Sequence, residues 1–210
     1  MAETPVGEVL LTNVRLSFAH LDEPKEQKSD KGETTLKYQA NGLISKTTAE
    51  GKRNLAKLKK ASEQVKEKKW GNKQPRLKAN QVCVRDGDEE DYEGYAGHYY
   101  ISASNKKQPQ LITKFKDGKG EWLPAKKGKL YSGCVVNMLV RLWAQDSTEY
   151  GKRLNASVEA VQFVKDGPAF GGGGPVDTRE KFAEIEADEG DDMYDPDGEY
   201  TDDEEIDSLV

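Results

Sequence analysis

Cysteine and histidine are scarce in this chain, two of each in 210 residues. Cys83 and Cys134 stand in apolar, strand-like settings without a CxxC spacing. A disulfide framework is therefore excluded, and the pair reads as reduced core thiols of a cytosolic protein. With only His20 and His98 available, neither a Cys/His metal cluster nor a histidine-based triad is supported. No apolar run approaches the ~18 residues of a membrane span. The opening Met1-Ala2-Glu3-Thr4-Pro5 lacks a charged-then-apolar targeting pattern, so secretion and membrane insertion are not expected. The glycines at 171–174 have no Gly-Lys-Ser/Thr sequel and make no phosphate loop. Asp195-Pro196-Asp197-Gly198-Glu199 falls short of an EF-hand loop. Together these absences leave no catalytic residue, metal or cofactor to assign and point away from an enzyme.

Charge is abundant, and it is unevenly placed. The whole chain is net −6, with 32 Lys and Arg against 38 Asp and Glu. Only Arg179 and Lys181 are basic after Phe170, against 16 acidic residues, so residues 171–210 are net −14. Residues 1–170 hold the other 30 basic and 22 acidic residues and are net +8. The field at a surface follows local charge, so a whole-chain pI of about 5.2 does not exclude a polyanionic ligand for the cationic body. Composition divides the chain into a folded body, 1–170, a glycine hinge with weak helical character, 171–187, and an acidic tail, 188–210, too poor in apolar residues to fold alone.

Along the body, period-two alternation predicts strands. Leu10, Val14, Leu16 and Phe18 share one parity, and Leu36, Tyr38, Ala40 and Ile44 another, with the polar stretch 22–33 between them read as a loop. Thr47-Thr48-Ala49-Glu50 has capping-box spacing, so a helix should begin there and run to about Lys69, burying Leu55, Leu58, Ser62 and Val65 and stopping at Gly71. Short strands are expected at 81–85, 97–104 and 110–116, and two long ones at 133–145 and 154–164 joined as a hairpin. About seven strands with one inserted helix predict a mainly β fold, an OB-like, partly open barrel, followed by a disordered acidic tail.

An interface for single-stranded nucleic acid needs cations along the phosphate track and outward rings on which bases stack. The 133–145 strand supplies both. Cys134, Val136, Met138, Val140 and Leu142 form the apolar parity, so Arg141 and Trp143 are presented on the opposite face. The same pleat reasoning turns Arg15 and Lys37 outward, turns Lys114 and Lys116 outward if Leu111 and Phe115 point in, and makes Tyr100 a stacking candidate; a bulge would reverse any of these. Lys106-Lys107, Lys126-Lys127 near Trp122, and Lys152-Arg153 extend the cationic track. Taken singly, each lysine is equally what solvation requires, and Trp143 fits a core. The tail closes on Asp202-Asp203-Glu204-Glu205-Ile206-Asp207-Ser208-Leu209-Val210, acidic with a small apolar tip. Tethered to a cationic body, such an arm competes with DNA as an internal polyanion.

Several stretches, taken in order, resemble the tailed-phage single-stranded DNA-binding proteins: Arg15-Leu16-Ser17-Phe18 then His20-Leu21 and Pro24; Tyr38 leading to Leu43-Ile44-Ser45-Lys46; Arg85-Asp86-Gly87-Asp88; Tyr131-Ser132-Gly133; Trp143; Val161-Gln162-Phe163; and Gly167-Pro168-Ala169-Phe170-Gly171-Gly172. The resemblance implies an OB fold that binds and protects exposed strands during phage replication and recombination, in the cytoplasm of an infected bacterium. It also implies a tail that contacts replication proteins and restrains nonproductive binding; from the charge asymmetry, removing the tail after about Gly174 is expected to strengthen DNA binding and admit duplex DNA. Tails in that family often finish in an aromatic residue, whereas this chain ends Leu209-Val210. Homo-oligomerisation or cooperative assembly on DNA is left open. The competing reading from another class is a phage structural or scaffolding protein whose acidic tail docks a partner; a nuclease or recombinase accessory enzyme is a further rival without a compact carboxylate set to support it.

Overall fold

The computed structural model describes residues 5–28 and 34–170, which lie within one compact unit spanning 1–174. The expected hinge at 171–187 and tail at 188–210 fall outside the described residues. The order of elements is β1 (Glu8–Lys28), β2 (Thr34–Ser45), α1 (Ala49–Trp70), β3 (Val84–Asp86), β4 (His98–Asn105), β5 (Gln110–Lys116), β6 (Trp122–Pro124), β7 (Val135–Ser147) and β8 (Gly151–Lys165). The strands form one sheet in the order β3-β4-β2-β1-β7-β8-β5-β6, antiparallel except where β5 runs beside β8. The fold is mainly β with a single helix, as expected, and the sheet curls without closing its ladder. Its curl brings β4 to β8, where Asn105 Nδ2 donates to the Val158 carbonyl at 3.1 Å, and the segment just before β3 bridges β8 at Val82–Leu154.

β7 is the most regular strand and forms as the alternation predicts. Val136, Met138 and Val140 are completely buried, with Leu142 behind them, and Val158 and Val161 of β8 face them in the core. Burying each such side chain stabilises the fold by about 1.5–3 kcal/mol.

β1 departs from the expectation. The ladder with β7 slips between Leu11 and Val14, where Asn13 takes φ +51°. An extra residue in a strand inverts the parity beyond it, so Val9 and Leu11 are buried with Val14 and Leu16, while Leu10 is turned out. A second slip between Ser17 and His20 turns Phe18 outward at φ +47°. The stretch 22–28, read as loop because it is polar on both faces, instead pairs with β2 as far as Lys28–Thr34, making a long hairpin.

The helix is capped by Thr48, whose hydroxyl accepts from Gly51 N at 3.0 Å. The expected Thr47–Glu50 capping box does not form, because the N-cap is Thr48 and the N3 position is Gly51, which has no side chain to return a bond; the Glu50 carboxylate instead accepts from Asn13 Nδ2 at 2.9 and 3.0 Å, joining α1 to the first bulge. Gly51 is required by contact: a Cβ there would lie 2.0 Å from the Ser45 carbonyl oxygen. The buried stripe is Gly51, Asn54, Leu58, Ala61 and Val65, and the helix ends at Gly71. Asn54 is buried yet satisfied, since Oδ1 accepts from Thr12 N at 3.2 Å and Nδ2 donates to Thr12 O at 2.8 Å. That clamp holds the bulge open against the helix.

Both cysteines are buried and free. Desolvation pushes the Cys83 thiol up to about 12 and the Cys134 thiol up to about 11. Among the described residues no helix is long and apolar enough to cross a membrane.

Candidate nucleic-acid interface

The seam between β4 and β8 carries a groove on its outer side. Ile101 and Ala103 of β4 point into the core, which turns Ser102 and Ser104 outward. On β8 the buried Leu154 and Ala156 leave Arg153 and Asn155 outward, and on β7 Trp143 and Gln145 pair directly with Asn155 and Arg153. β2 adds Lys37 and Gln39, β3 adds Arg85, and Gln27 of β1 donates to Gln39 across the hairpin. These side chains line a mainly polar cavity of about 280 Å³. Three of the residues expected to contact DNA, Lys37, Trp143 and Arg153, thus meet in one place, together with Arg85.

The Trp143 ring is 42% exposed, with its Nε1 donating to Ser157 Oγ at 3.2 Å. Arg153 is held in position by its Nε bond to the Tyr150 carbonyl at 3.1 Å, and Arg85 by its Nε bond to the Val82 carbonyl at 3.1 Å. A half-exposed indole beside three cations can stack on a base while the cations neutralise phosphates.

The other expected contacts are placed elsewhere. Arg141 is exposed beside Glu8, Nη2 to Oε2 3.4 Å. Arg15 clamps the end of the body: Nη2 donates to Pro168 O at 2.6 Å, and its guanidinium lies 3.8 Å from the Phe170 ring centroid. Tyr100 is only 4% exposed, sits against Tyr95 and donates its hydroxyl to Glu90 at 2.5 Å. Its face is closed to a base, and burial, then the Glu90 bond, pushes the phenol up to about 12. The outward parity expected of it is real, but the 87–97 loop folds over that end of β4 and covers the ring.

Lys106 and Lys107 are exposed in the β4–β5 turn. Lys114, Lys116 and Trp122 belong to the β5–β6 hairpin, where Lys116 Nζ lies 4.6 Å from the Trp122 ring centroid. Phe115, expected to point in, is exposed, because this end of β5 extends past its short parallel pairing with β8 at 110–112. Lys127 pairs with Glu23 at 2.6 Å and Lys152 with Asp146 at 3.6 Å.

Residues missed by sequence reasoning include Arg85, Gln39, Ser102, Ser104, Gln145 and Asn155. Arg85 lay within a quoted family stretch, but the uncharged groove residues carry no signal until β4 and β8 meet. Among the described residues no group of three or more His, Cys, Asp or Glu side chains could hold a metal ion.

Comparison with known proteins identifies the family and the fold. The family model described as the Enterobacter phage Enc34 ssDNA-binding protein matches residues 7–194. A protein named putative protein p50, from Acyrthosiphon pisum secondary endosymbiont phage 1, is 39% identical over 180 residues, which are 82% of this chain and 91% of that one. The solved structure of the single-stranded DNA-binding protein from bacteriophage Enc34 in complex with ssDNA superposes with a TM-score of 0.64 at 27% identity, covering 81% of this chain and 97% of that one. Its C-terminal truncation gives 0.62 at 26% identity, over 80% and 95%. With nearly the whole body and part of the acidic region matched, the chain belongs to the Enc34 family of phage ssDNA-binding proteins.

Proposed function

We propose that this chain binds single-stranded DNA largely without regard to sequence, in the groove over the β4–β8 seam. The observation that carries this is the meeting of Trp143 with Lys37, Arg85 and Arg153 in one outward cavity. Cations on phosphates release counterions and give affinity with a steep salt dependence, while the indole stacks on any base because every base has a π-face. The Ser and Gln side chains of the floor add hydrogen bonds without an imposed sequence. The scaffolding alternative is not favoured, since the family and the fold neighbours are ssDNA binders and the groove requires no protein partner.

On this reading the protein coats and protects exposed strands in phage replication and recombination, within the cytoplasm of the infected host, and performs no chemistry itself. The acidic segment beyond 170 competes with DNA for the cationic body and, through Ile206, Leu209 and Val210 among its carboxylates, recruits replication proteins. Titrating the full-length chain with oligo-dT while following tryptophan fluorescence tests the central point. Saturable quenching that weakens as salt rises is expected; an unchanged spectrum in dilute buffer would overturn the proposal.

A further inference from the structure

The outer strand face that carries the groove continues past it. Directly opposed residues in an antiparallel ladder share a face, as do residues two apart on one strand. The pairs Ser17–Asn41 and Asn41–Ser102 therefore set β1, β2 and β4 side by side on the outer surface, and Gln39–Ser104 carries that face into the groove. At the Ser17 end lies a second cavity, of about 310 Å³, between Phe18, Tyr92, Tyr95 and Phe170. Its lining is mostly apolar ring surface.

Phe18 reaches this cavity through the second β1 bulge, in a left-handed backbone conformation that a bulky side chain rarely adopts. Strand bulges re-aim single side chains beside binding sites, and here the ring that is turned out is 39% exposed. Tyr92, 52% exposed, meets it edge-on with centroids 5.0 Å apart. Behind them the buried Tyr95 is fixed by both strands: its hydroxyl accepts from Asn41 Nδ2 at 2.8 Å and donates to Ser17 Oγ at 3.3 Å. The cavity floor and the groove floor are thus tied through Asn41, whose partner Ser102 lines the groove.

We propose that this cavity is a base-stacking subsite which receives one unpaired nucleobase from a strand already lying in the groove, with Phe18 and Tyr92 as its stacking rings. The inference rests on reading the groove as the ssDNA site. Planar apolar walls match the π-face of a base, so the base enters while the backbone stays outside toward the groove cations.

Binding of the full-length chain to oligo-dT at several salt concentrations tests this, using Phe18→Ala, Tyr92→Ala and Tyr92→Phe beside Trp143→Ala, with circular dichroism to report folding. Each alanine variant at Phe18 and Tyr92 should raise Kd about 5- to 150-fold, and Tyr92→Phe should match the parent. The slope of log Kd against log salt should stay unchanged, because no phosphate contact is lost. Tyr92 is a loop residue with an exposed ring, so its variants keep the test decisive if Phe18→Ala fails to fold. Parent-like affinity of folded Tyr92→Ala alongside weakened Trp143→Ala overturns the subsite and leaves the cavity to a peptide partner. Absence of binding by the parent chain overturns the groove reading itself, and the subsite with it.

Discussion

The indole nitrogen of Trp143 donates to the hydroxyl of Ser157 across the β7–β8 ladder, 3.2 Å away. One edge of the ring is thereby fixed to the neighbouring strand while a face stays open to the groove. A ring oriented by folding avoids part of the ordering cost that a free side chain would meet on binding.

Replacing Trp143 with alanine should weaken binding of oligo-dT about 5- to 150-fold, the equivalent of about 1–3 kcal/mol for a lost base stack. Ser157→Ala, which frees the ring without removing it, should cost less than about fivefold on the same grounds of ordering alone. Fluorescence anisotropy with labelled oligo-dT measures both. Equal affinities for Trp143→Ala and the parent would take the indole out of the contact.

Lys37 and Arg153 should behave differently from Trp143. Each, changed to alanine, removes one phosphate contact and flattens the slope of log affinity against log salt by about 0.7 for a single strand. The double variant should lose about twice that. Arg141→Ala should leave the slope nearly as it was, because Arg141 lies outside the groove beside Glu8.

Asn54→Ala should destabilise the body by about 1–3 kcal/mol, since it leaves the part-buried Thr12 backbone groups without their partner. Urea unfolding followed by circular dichroism reads the change as a lower midpoint with an unchanged m-value. A shift below a few tenths of a kcal/mol would mean that water replaces the clamp.

The ion cluster around Lys46 gives a pH signature. Hydrogen bonds first to Asp86 and then to Asp88 push the Lys46 ammonium up to about 12, and the bond to Lys46 is the leading cause that lowers both carboxyls from their ordinary 3.8. A raised ammonium contributes stability that is complete below 10.5 and fades as pH climbs toward 12. Lowered carboxyls contribute stability that is complete above their ordinary range and fades as pH falls through their lowered values. The Tm gap between the parent and Lys46→Met should therefore be widest between about pH 5 and 10 and narrow on both sides. The groups are exposed to solvent screening, so the gap should be small and should shrink further in salt. A gap independent of pH would assign the effect to packing against Tyr99, whose ring lies 4.7 Å from the ammonium.

Deleting residues 175–210 removes 16 acidic and two basic residues. The shortened chain should bind oligo-dT more tightly and retain duplex DNA that the full chain releases, with the difference closing as salt rises. Gel shifts across a salt series check this; equal or weaker binding by the shortened chain would end the idea of an internal competitor.

How much could be read beforehand depended on regularity. β7 was legible because nothing interrupts its alternation, and Trp143 and Arg141 came out on the face expected of them. Leu10 and Phe18 were misplaced because two bulges reset the register of β1, and composition does not announce a bulge at Asn13. The hairpin extension at 22–28 was invisible for another reason: a strand polar on both faces shows no period, and only its partner in β2 defines it. β6 has three residues, too few for any pattern. Tyr100 shows the limit of pleat arguments, for its direction followed from parity but its burial depends on a loop arriving from elsewhere. The groove was legible only in part, through Lys37, Trp143 and Arg153, because its remaining walls are brought together by tertiary closure.

The two thiols have a practical consequence. Both are buried, Cys134 completely and Cys83 to 5% exposure beneath the groove it helps to line; desolvation raises both thiols, and the chain has no others. A cysteine introduced at the outward Ser104 would therefore react with a maleimide dye faster than either buried thiol of the native protein. With the natural thiols buried, a dye at that position lets the groove be watched directly as a strand enters and leaves it.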